Sequence, residues 1–174
     1  MDSNPMHGSP APQGQPSTRY KRLEGLGGWL ILVQVSVYLS LISVAIMLFN
    51  NVIPAFKPEF WNVLTAPSSP VYDPLWKPML IFEAVGNSVL LLFLIVILAL
   101  LYGKKRAFPK TMITLMIASL LLAAVDYAMA NQIKFIAEME GVNTPREIVR
   151  SIVYCCIWIP YFLRSERVRN TFVK

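Results

Sequence analysis

The sequence predicts an all-α protein, an integral membrane four-helix bundle with the N and C termini cytoplasmic and a disordered N-terminal tail. Three observations carry this expectation. The 174 residues are 55% hydrophobic and only 15% charged, with a mean hydropathy of +0.51, whereas a soluble domain carries roughly 25% charged residues. The apolar residues are gathered into four long runs rather than spread at an amphipathic period, which leaves little chain for a separate soluble domain. The basic residues flank those runs. The net charge of +6 therefore implies no nucleic-acid surface, because positive charge beside a spanning helix stays on the cytoplasmic side and meets anionic lipid.

Residues 1–24 read as a disordered cytoplasmic tail. Their first eighteen are rich in Pro, Ser, Gly and Gln with no apolar periodicity, so they bury too little surface to offset ordering entropy. The only histidine, His7, lies there. Residues 25–174 form the transmembrane domain, with helices expected at about 28–49, 78–102, 111–130 and 146–163. The first run is too long for the apolar core of a cleavable leader, and no small-residue cleavage pattern follows it. Five prolines break the stretch from Asn50 to Lys77, which leaves room for one short helix beginning at Pro58. Trp61, Tyr72 and Trp76 are expected at headgroup level. Pro78 opens the second helix and a basic turn leads into the third. Thr144, Pro145 and Glu147 make a capped start for the fourth. Trp158 and Tyr161 near its end are read as an interface anchor, and Arg164 to Lys174 as a basic tail. Cys155 and Cys156 sit side by side in an apolar run and are read as packing residues.

Orientation follows from the basic residues. Eleven Lys or Arg fall before the first helix, in the turn Lys104-Lys105-Arg106 to Lys110, and in the tail; the opposite side holds Lys57, Lys77, Lys134, Arg146 and Arg150. The richer side is the cytoplasmic one. Lys104, Lys105, Arg106, Lys110, Arg164, Arg167 and Arg169 are the expected contacts to anionic phospholipid headgroups.

Three charged residues fall inside the expected spans. Glu83, Asp126 and Arg150 each lie about 6–8 Å in from the outer end of their helix at 1.5 Å rise per residue. Asn87 follows Glu83 by one turn, completing a candidate intramembrane polar cluster. Three readings stay open. One is an ionic clasp, with Arg150 bridging the two acids and fixing helix rotation. Another is a ligand, ion or proton site, because ionisable residues at this depth often mark pathways. The third is snorkelling of the charges to water with no shared site.

Several short motifs resemble those of a bacterial membrane family known as domain of unknown function 2569, also called YdgK-like. They are Gly25-Leu26-Gly27-Gly28-Trp29-Leu30, Phe108-Pro109, Asp126, and Ile157-Trp158-Ile159-Pro160-Tyr161 leading into Ser165-Glu166-Arg167-Val168-Arg169-Asn170-Thr171-Phe172. The resemblance spans about residues 25 to 173. It implies a small four-helix protein of a bacterial inner membrane and brings no established activity with it.

No H-E-x-x-H, no G-x-S-x-G and no histidine in an apolar run is present, so no catalytic, cofactor-binding or metal-ligating residue is expected. The first expectation for function is a non-enzymatic membrane interaction or scaffold protein, partnered by the lipid bilayer and by a second copy or another membrane protein. The alternative is an oligomeric transporter, channel or proton-coupled subunit using the outer polar cluster.

Overall fold

The first apolar run begins right after Gly28 and forms α1, Trp29–Ala55. It continues past the expected end at 49 through a π-helical turn at Leu48–Val52, where the Ile53 N–H reaches back to Leu48 O. Pro54 follows directly and has no N–H to give, so the wider turn absorbs the mismatch before the helix ends. This computed structural model describes residues 25–138 and 146–173, and every regular element among them is helical. The expected disordered tail and the cap at Thr144 and Pro145 lie outside the described residues.

The next element, α2, is Pro58–Thr65, with Pro and Glu59 in its first turn. α3 is Trp76–Tyr102 and starts two residues before Pro78, which is allowed because first-turn N–H groups have no intrahelical acceptor. α4 is Phe108–Ala130, with Pro109 in its opening turn. Short α5, Lys134–Glu138, lies in the polar link after α4. α6 is Arg146–Arg164. α7, Glu166–Thr171, replaces the expected basic tail; the Ser165 hydroxyl caps it by accepting from the Val168 N–H at 3.4 Å, the usual service of a serine at that position.

Among the described residues three helices, α1, α3 and α4, are long and apolar enough to cross a membrane. α6 has 19 residues, but Arg146, Glu147 and Arg150 crowd its first five positions and lower its hydropathy.

Backbones pack α1 against α3, α3 against α4, and α4 against α6. α1 and α6 meet through longer side chains. Ser36 donates its one hydrogen to Val33 O at 2.8 Å, leaving Tyr154 to donate to Ser36 Oγ at 3.0 Å. Trp29 meets the edge of Trp158 at 6.4 Å.

Most of the core sits at the end of the molecule that carries Gly25 and Thr171, called here the terminal end. The Gly25 N–H donates to Thr171 Oγ1 at 3.0 Å, and that hydroxyl donates back to Gly25 O at 3.3 Å. Leu30, Val33 and Val37 of α1 share one cluster with Leu94, Ile97 and Leu101 of α3, both sets spaced three and then four apart, the period that lines one helix face. Phe108 is 0% exposed; it stacks on Phe172 at 4.3 Å and meets Phe162 edge-on at 5.9 Å. Trp158, expected at the interface, is buried in this cluster instead. A smaller cluster of Trp76, Met79, Ala130, Ile133 and Ile136 closes the opposite, loop end. Trp76, also expected at headgroup level, is buried there and donates its ring N–H to Val71 O at 3.0 Å.

Candidate functional site

The acids stand where they do because of a glycine. A Cβ at Gly86 would collide with the Leu122 side chain, so α3 and α4 approach closely at this level. Glu83 lies one turn from Gly86 on α3, and Asp126 one turn from Leu122 on α4. Both turns lead toward the loop end, and the close crossing brings the two carboxyl groups into contact. Asn87, 4% exposed, donates from Nδ2 to Glu83 O at 2.9 Å. Asp126 Oδ1 is buried without a hydrogen-bond partner among the described residues.

These three side chains border a cavity of about 460 Å³, lined also by Met79, Leu122, Ala130 and Ile136 among others. Arg150 borders a second space of about 470 Å³ between α1, α4 and α6, together with Ser36, Ser40, Ser43, Ser151 and Tyr154. Ser119 lines both. The structure thus gathers Glu83, Asn87 and Asp126 on one wall and sets Arg150 on another.

The expected headgroup contacts divide in two. Lys104, Lys105, Arg106, Lys110, Arg164 and Arg169 are exposed. Arg106 also ties the α3–α4 turn to the chain's end, with Nε–H donating to Val173 O at 2.8 Å. Arg167 is half-buried and lies across Gly27 and Gly28; added Cβ atoms there would stand 3.0 and 3.1 Å from its guanidinium nitrogen. Gly28 also adopts φ 61°, a region side chains avoid.

Sequence reasoning did not link Gly86 to the acids, and it missed Ser119. A glycine one turn from a membrane acid was the available signal for the first. Ser119 carried none, because a serine in an apolar helix commonly bonds its own backbone, as this one does to Met116 O at 2.9 Å.

Helices of membrane-spanning length around an acid-lined cavity define a membrane protein. The chain belongs to the family described as protein of unknown function (DUF2569), whose family model matches residues 23–173. No curated protein and no solved structure matches it. Residues that carry the family resemblance meet at the terminal end, where Gly25 pairs with Thr171, Gly27 and Gly28 with Arg167, and Phe108 with Phe172. Asp126 is the exception, alone at the acid-lined cavity.

Proposed function

We propose that this chain is a four-crossing protein of a bacterial inner membrane, both ends cytoplasmic, that takes up a proton or small cation at Glu83 and Asp126. One observation carries the reading: carboxyl groups from two neighbouring helices meet on the wall of a cavity of about 460 Å³. Two facing carboxylates at such depth are stable only with a proton or cation between them. A clasp serving a scaffold would be filled by interdigitated side chains with its hydrogen bonds complete. Here there is space, and among the described residues Asp126 Oδ1 has no hydrogen-bond partner, which favours solute handling over the interaction-scaffold reading. Among the described residues no group of three His, Cys, Asp or Glu side chains gathers, so a proton or monovalent cation fits better than a divalent metal needing six or more oxygens.

The Gly25–Thr171 contact supports a fourth crossing by α6, since a chain that starts and finishes at one end crosses an even number of times. At about 1.5 Å per residue its length also suits a bilayer of roughly 30 Å. The exposed basic residues of the terminal end support placing that end in the cytoplasm. Four helices are few for alternating access, so a homo-oligomer would supply the remaining walls.

The test is proton uptake by vesicles reconstituted with the full chain and loaded with a pH-sensitive dye, driven by a potassium diffusion potential. Uptake above that of empty vesicles, reduced at least about tenfold by Glu83→Gln and by Asp126→Asn, is the expected result. Wild-type vesicles no leakier than empty ones to protons or sodium would refute the reading.

A further inference from the structure

We propose that the groove between α1 and α6 holds one glycerophospholipid, its phosphate at Arg150 and its ester carbonyls on Ser40, Ser43 and Ser151. The groove exists because α1 and α6 meet by side chains, with Tyr154 and Ser36 bridging them, which leaves a space of about 470 Å³ between α1, α4 and α6.

The hydroxyls supply the chemistry. A Ser or Thr in an apolar helix ordinarily donates to a carbonyl one turn back, as Ser36, Thr111, Thr114 and Ser119 all do here. Ser40, Ser43 and Ser151 make no hydrogen bond among the described residues. Among the described residues the groove therefore presents three hydroxyl donors and the Arg150 side chain, and no acid lines it. Its complement is a molecule rich in acceptors and poor in donors. The phosphodiester and ester region of a phospholipid is such a molecule, and a guanidinium pairs with phosphate more strongly than a neutral donor does. The flanks complete the match: Leu39 and Ile42 on one side and Val149 and Val153 on the other are exposed apolar residues along which acyl chains lie. A second copy's helix would bring a backbone already hydrogen-bonded within itself, and a free phosphate would leave those flanks uncovered. The outer leaflet as the source rests on the four-crossing orientation; the site itself does not depend on proton or cation uptake at Glu83 and Asp126.

The experiment is native mass spectrometry of the full chain, purified in mild detergent, delipidated and titrated with dioleoyl phosphatidylglycerol, with dioleoylglycerol, and with inorganic phosphate as competitor. One phospholipid retained per chain is expected, with dioleoylglycerol failing to substitute and millimolar phosphate failing to compete. Arg150→Gln and the combined Ser40→Val, Ser43→Val, Ser151→Val variant should each weaken retention about tenfold or more. If Arg150→Gln does not fold, judged by gel filtration and circular dichroism, the serine variant decides, because it keeps the charge and adds only apolar bulk. Equal retention in wild type and the decisive variant overturns the proposal. So does displacement by phosphate, or a dimer that the serine variant disperses with no loss of lipid. Vesicle uptake is read separately, so the two proposals can fail independently.

Discussion

The terminal half and the loop half of this molecule are built by different means. At the terminal end, Phe108, Phe162 and Phe172 interlock, two glycines admit an arginine, and the first and last turns hydrogen-bond to each other. At the loop end, a glycine draws α3 and α4 together only to bring two acids to the edge of a cavity. Lipid is as apolar as leucine, so helices in a membrane hold together by close packing rather than by fleeing water. Dense packing at one end lets the other keep open space beside its acids.

Breaking that contrast starts with its densest residue. Phe108→Ala should cost about 3–5 kcal/mol, read as a fall in the thermal midpoint in mild detergent. Leu122→Ala, on the cavity wall, should cost less than half as much; equal losses would erase the distinction between the halves. Gly28→Ala comes next, at about 1–3 kcal/mol by the same measurement, from left-handed backbone strain and the displaced Arg167. Glu83→Gln and Asp126→Asn should shift the midpoint by no more than about 1 kcal/mol, because each removes a like charge from a facing pair while leaving the packing intact. A large loss there would mean that the acids hold the fold together after all. The smallest effect on stability belongs to the orientation test. Ser68→Cys and Lys105→Cys replace exposed residues and should each change stability by under about 0.5 kcal/mol. An impermeant maleimide applied to intact cells should label Ser68→Cys and spare Lys105→Cys.

Counting along the sequence gives height in a membrane helix and nothing about direction around its axis. Height was enough to put Glu83 and Asp126 in one layer, and their side chains do meet. It was not enough for Arg150, which shares the layer but faces the groove beside α1. Azimuth is set by which faces pack, and the cue for that was Gly86, whose missing Cβ fixes the crossing of α3 and α4. Hydropathy made α1, α3 and α4 legible because each fills a bilayer with apolar residues. It was silent on α5 and α7, which are too short to show a helical period. Trp76 and Trp158 misled for a related reason: an indole suits an interface, but equally a buried site where its ring packs, as the N–H of Trp76 bonded to Val71 O illustrates.

The paired hydrogen bonds between Gly25 and Thr171 join residues 146 apart in sequence. At about 5–20 residues per second, a ribosome takes roughly 7–30 s to make the chain between them. For that interval the first helix has its terminal end unclasped, and Gly27 and Gly28 wait for an arginine not yet synthesised. The end of the molecule that packs most tightly is thus the one that must close last. A nascent chain stalled before Thr171 would expose its first turn to any protease that patrols the membrane surface.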